Sequence, residues 1–210
     1  PFSEAVKIVE SAFDSIDRSY GDIVRSMRER GTIRCIDANN PSFFSSAGYT
    51  SNFGPVVLVT YGGTVRDLLL LAHELGHAVH FASLASSQEL INRSCSSLLA
   101  ESVAIFFAVS TAHCLADSGK SQLGSRAAIF ESIIENLFRR SLGTNFGAKC
   151  AELVKEDRFD LATVEKVWIE QHQRLFGDDF RFNRLGRIWW AHTGWNVLTP
   201  LFQQEYVMSP

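Results

Sequence analysis

The stretch His73-Glu74-Leu75-Gly76-His77 decides how this sequence of 210 residues is interpreted. Histidines four positions apart on a helix project from the same face, so His73 and His77 can share one metal ion. Glu74 follows the first histidine, where a carboxylate can act as general base on a water molecule beside that ion. The pattern therefore predicts a helix that carries a hydrolytic zinc site.

The residues around the motif predict that its helix is buried. Mostly apolar side chains fill residues 65–72 before it and 78–84 after it. Thr64 is placed to cap the helix N-terminus, and Asp67 occupies the acidic position of a capping box. Buried histidine and glutamate side chains need partners, which a zinc ion would supply. The alternative is a core helix whose histidines are hydrogen-bonded within the protein.

A second apolar helix, predicted over residues 96–116, carries the candidate for a third ligand. Glu101 is the only Asp, Glu, Lys or Arg in this stretch, and it follows His77 by 24 residues. A carboxylate in such a helix is costly unless it is paired or binds a metal. Because two histidines and a glutamate form a common zinc ligand set, Glu101 is the predicted third ligand. A salt bridge with Lys or Arg is the alternative.

Two other residues compete for the third ligand position. His80 lies on the same helical stripe as the motif histidines, but about 10 Å along the helix axis from His73. We therefore interpret His80 as a group behind the ligands or facing the substrate. Glu89 lies in a polar connection and is expected to be solvated.

The remaining pattern is mainly helical with a small β element. Residues 33–53 read as loop-rich, and residues 55–61 read as a strand bounded by glycine. Apolar positions at helical spacing predict further helices over residues 3–30, 123–142, 146–155 and 161–176. The sequence shows no internal repeat or linker, so a single domain over residues 1–210 is predicted.

Composition limits the partners and the compartment. The net charge of −3 and the absence of basic clusters argue against nucleic-acid binding and against a membrane surface. Both long apolar helices are nearly long enough to span a membrane, but polar residues in each argue against that alternative. The four cysteines form no C-x-x-C pair, so free thiols and a cytoplasmic location are expected.

The sequence also resembles that of oligoendopeptidase F, of the thimet oligopeptidase group of zinc peptidases. The resemblance rests on Leu71-Ala72-His73-Glu74-Leu75-Gly76-His77-Ala78-Val79-His80, followed by Ala100-Glu101. It implies a mainly α, zincin-like catalytic domain with a small β element before the motif helix. The chain would correspond to the C-terminal, zinc-bearing portion of that domain.

The resemblance also implies a mechanism. His73, His77 and Glu101 would bind one Zn²⁺ per chain, and Glu74 would be the general base for a zinc-activated water. The chain would be a metalloendopeptidase, an oligopeptidase that hydrolyses short peptides. A missing N-terminal segment or a second copy of the chain would be its protein partner.

The C-terminal tail departs from the family pattern. Members usually have a histidine and several tyrosines after a tryptophan region, and these positions fall here on Trp195, Phe202, Gln204 and Tyr206. Tyr206 alone keeps a hydroxyl and is the second predicted catalytic residue, unless a shifted register brings in His192. Residues 41–45 also replace a basic, glycine-bearing segment of the family. Loss of one oxyanion donor costs about 10²–10³ in turnover. The alternative function is therefore that of a zinc-binding relative with weak or no activity, which binds peptides or a partner.

Overall fold

The computed structural model describes residues 1–36, 45–117 and 122–192. It confirms the predicted fold class, because the chain is mainly helical with a small sheet before the motif helix. The chain divides into two compact units, residues 1–131 and residues 132–192 of the described part. The single domain over residues 1–210 stays a prediction.

The N-terminal residues form two helices, α1 (Phe2–Ile16) and α2 (Arg18–Arg30), where the sequence predicted one. The prediction was wrong at Asp17, which adopts an extended backbone and accepts a hydrogen bond from the backbone N–H of Ser19. Aspartate favours such a cap over continuation of the helix. Arg25 then joins the two helices through ion pairs with Glu10 and Asp14 of α1.

A sheet follows, and part of it was missed. Within the described residues it has three strands, β1 (Ile33–Ile36), β2 (Ser46–Thr50) and β3 (Gly54–Thr60), in the order β1-β3-β2. The prediction of a strand over residues 55–61 is confirmed within one residue, but the stretch predicted to be loop contains both edge strands. β1 pairs with β3 in parallel and β2 pairs with it in antiparallel orientation. This pairing holds the two edge strands in an extended conformation that their own mixed sequences do not signal.

The motif lies on α3 (Val65–Ser87), which packs beside α4 (Ser97–Asp117). The capping box is present as predicted: Thr64 accepts from the backbone N–H of Asp67, whose carboxylate accepts from the backbone N–H of Thr64. Both helices are long and apolar enough to cross a membrane, a test that buried core helices also pass. The core of this first unit joins α1, α2, β3, α3 and α4 through Phe13, Val24, Met27, Val57, Leu71, Leu75 and Phe107.

The second unit is helical. It begins near the end of α5 (Gln122–Ile133), followed by a π-helical segment (Ile134–Arg139), α6 (Arg140–Lys155) and α7 (Leu161–Phe176). The predicted bounds of α7 are confirmed, whereas the predicted interruption at residues 143–145 is wrong. Gly143 is buried inside a continuous α6 and does not end the helix. Leu142, Phe146, Leu153, Val164 and Trp168 form the core of this unit.

Candidate metal centre

The structure brings together the three predicted metal ligands. His73 and His77 project from α3, and Glu101 projects from α4. One Glu101 carboxylate oxygen lies 3.3 Å from Nε2 of His73, and the other lies 3.7 Å from Nε2 of His77. The potential ligand atoms of the three residues lie within 4.8 Å of one another, so the group could hold a metal ion.

The spacing of these atoms fits a zinc ion. A tetrahedral ion with bonds of about 2.0–2.2 Å needs ligand atoms about 3.3–3.6 Å apart. The distance of 3.3 Å from Glu101 to His73 lies in this range, and the distance of 3.7 Å to His77 lies just above it. Two imidazoles and one carboxylate are also donors that zinc accepts, and they leave a fourth position open. The residues present therefore fit the ion that the sequence predicted.

Glu74 is buried on the same helix, next to the first histidine. Burial raises the pKa of its carboxyl from 4.5 to about 7, and the charge of Glu101 adds to the increase, while His73 opposes it. A carboxyl group with a pKa near neutrality can accept and return a proton under ordinary conditions. Glu74 can therefore change its protonation state near neutral pH.

His77 is held in the form that binds metal. Burial lowers the pKa of its imidazole from 6.5 to about 4, and His73 and His80 lower it further, against the charge of Glu101. The imidazole is therefore neutral at pH 7 in the metal-free protein. A neutral imidazole presents a lone pair to an ion without first losing a proton.

Of the two competing residues, Glu89 has the exposure that the sequence predicted. Glu89 is exposed in the connection between α3 and α4. His80 is partly buried, and within the described part of the chain its Nδ1 has no hydrogen-bond partner. Its burial lowers the pKa of the imidazole. Neither residue belongs to the group of three ligand candidates.

Sequence reasoning missed the aromatic neighbour of these histidines. The ring of Phe81 lies nearly parallel to those of His77 and His80, with centroids 6.0 and 6.2 Å away. The available signal was spacing, because Phe81 follows His77 by four residues and therefore lies on the same helical stripe. Phe81 thus places an apolar ring beside the candidate ligand His77.

The tail predictions fall outside the described residues. The residues that lie outside the described part are Trp195, Phe202, Gln204 and the predicted catalytic residue Tyr206, together with most of the segment 41–45. His192, at the end of the described part, contacts the ring of Trp189 in the second unit, with centroids 4.9 Å apart.

Comparison with known proteins gives one similar structure and no similar sequence. No family model matches the chain, and no curated protein matches it. The whole chain superposes on part of a crystal structure described as a "putative peptidase from Chlamydophila abortus", with a TM-score of 0.75 and 18% identity. The two share a fold. Our chain spans 36% of the length of that protein.

Proposed function

We propose that the chain is a zinc-dependent metallopeptidase that hydrolyses short peptides, a relative of oligoendopeptidase F. The observation that carries the proposal is the approach of the Glu101 carboxylate to Nε2 of both His73 and His77, beside the buried Glu74. The fold shared with part of a protein described as a peptidase supports the same reading. A cytoplasmic location, and partnership with a further segment or a second copy, belong to the proposal.

The chemistry divides between the metal and the chain. Zinc, when bound, supplies a Lewis acid that polarises the peptide carbonyl and lowers the pKa of water. His73, His77 and Glu101 hold that ion. Glu74 accepts the proton of the attacking water and returns it to the leaving amine, as its pKa of about 7 allows. Tyr206 is proposed to donate a hydrogen bond to the developing oxyanion.

The test is cleavage of a mixed library of short peptides by zinc-loaded protein. Wild type should cleave, and Glu74→Gln should keep stoichiometric zinc while losing hydrolysis. The control is Glu89→Gln, which makes the same chemical change at an exposed glutamate of the adjoining connection and should cleave like wild type. Hydrolysis that survives Glu74→Gln would refute the assigned mechanism.

A second candidate function is peptide binding without efficient cleavage. It is favoured by Trp195 and Gln204, which occupy positions where the family has hydrogen-bonding histidine and tyrosine side chains. Calorimetric titration of zinc-loaded wild type with library peptides distinguishes the two functions. Saturable binding with intact peptide recovered afterwards would favour the binding protein over the enzyme.

A further inference from the structure

Gly76 lies on the face of α3 that packs against Ala104 and Phe107 of α4. A Cβ atom at this position would lie 3.0 Å from Cβ of Phe107 and 3.1 Å from Cα of Ala104. Carbon atoms normally pack about 3.5–4.0 Å apart. Because the Ala104 contact is to backbone, a side-chain rotation cannot relieve it, and α4 itself would have to move.

The glycine has no conformational reason to be there. Gly76 lies in the interior of α3, where glycine is less favourable to the helix than alanine. It is not among the glycines with a positive φ, so its backbone is accessible to any residue. What Gly76 provides is space for α4.

That space is adjacent to all three candidate ligands. Gly76 precedes His77 directly and follows His73 by three residues, and Ala104 follows Glu101 by three residues. The close contact therefore lies within about one helical turn of each ligand. Metal–ligand distances normally lie within about 0.2 Å of their ideal values. An added methyl group demands a shift of a few tenths of an ångström, which is at least as large as that margin.

We propose that Gly76 is a positioning residue for the metal centre: its missing side chain lets α4 bring Glu101 within reach of an ion held by His73 and His77. The inference rests on the proposed zinc site and adds the element that sets its geometry. Gly76 touches neither substrate nor metal and acts through the position of Glu101.

The experiment measures zinc affinity by chelator competition, together with the visible spectrum of the Co²⁺-substituted protein. Gly76→Ala should bind zinc about 10–100-fold more weakly than wild type and should alter the Co²⁺ spectrum. The control is Gly48→Ala in β2, where the new Cβ meets Cγ2 of Val56 at an ordinary 3.8 Å. Its zinc affinity and spectrum should equal those of wild type.

A double-mutant cycle separates positioning from general packing. In a Glu101→Gln background, Gly76→Ala should cause little further loss of zinc affinity, because the ligand it positions is already gone. A full loss in that background would overturn the proposal. Equal zinc affinity and spectra for Gly76→Ala and wild type would overturn it too. Absence of zinc from wild type would instead refute the proposed function.

Should Gly76→Ala not fold, it is compared with wild type in the presence of trimethylamine N-oxide, an osmolyte that favours the folded state and leaves the new contact in place. Phe107 is kept, because its ring packs against Phe13 in the core. Under these conditions Gly76→Ala should still bind zinc at least tenfold more weakly than wild type. Equal affinities would overturn the role of Gly76.

Discussion

Replacing Glu74 by glutamine should stabilise the metal-free protein while it removes hydrolysis. Glu74 is 6% exposed, and burial raises the pKa of its carboxyl from 4.5 to about 7. Ionisation of this buried carboxyl at alkaline pH therefore lowers the free energy of unfolding. Glutamine has nearly the same shape and carries no charge, so it avoids that cost.

The sign and size of the effect follow from the pKa. A group whose pKa is raised by folding lowers stability progressively as pH rises above the unfolded value of 4.5, and the full cost is present above about 7. A pKa difference of this size corresponds to about 3 kcal/mol. Glu74→Gln should thus be more stable than wild type by about 3 kcal/mol at pH 8, and by less than about 1 kcal/mol at pH 4.5.

Urea unfolding of chelator-treated protein at both pH values measures the difference. Glu89→Gln is the control, and its exposed side chain should leave stability unchanged at either pH. Our reasoning would be refuted if Glu74→Gln were no more stable than wild type at pH 8. It would equally be refuted if a gain were the same at pH 4.5, because the gain must follow ionisation of the carboxyl.

Three further changes test other parts of the structure. Glu101→Gln should fold but bind zinc at least tenfold more weakly in chelator competition, because it loses the anionic ligand. A zinc affinity like that of wild type would show that Glu101 is not a ligand. Thr64→Ala should lower the free energy of unfolding by about 1 kcal/mol in urea titrations, whereas Thr64→Ser keeps the cap; equal losses would show that the cap is unimportant. Burial lowers the pKa of His172, and the charge of Arg139 lowers it further, whereas a hydrogen bond to the Trp168 carbonyl raises it. Because the folded protein disfavours protonation of this imidazole, wild type should lose stability as pH falls below 6.5. His172→Gln should weaken that dependence in urea unfolding at pH 7 and pH 5, and an unchanged slope would assign it to other groups.

Much of the candidate site could be predicted because helical geometry is local. Four-residue spacing alone places His73 and His77 on one face. Glu101 could be identified because a lone carboxylate in an apolar helix needs a partner. The approach of α4 to Gly76 could not be predicted, because the spacing of two helices depends on side chains that are distant in sequence.

The fold was predicted less completely where structure depends on pairing or on single residues. A short β-rich run bounded by glycine signalled β3, whereas the two edge strands are held in place by hydrogen bonds to β3. The break at Asp17 was missed because the apolar spacing on either side is compatible with one continuous helix. A single capping side chain decides the outcome there.

X-ray anomalous scattering at the zinc absorption edge, from crystals of the zinc-loaded protein, tests the proposed metal centre most directly. We predict one peak about 2.0–2.2 Å from Nε2 of His73, Nε2 of His77 and a carboxylate oxygen of Glu101. Zinc bound at other residues, or no peak between α3 and α4, would contradict the proposal.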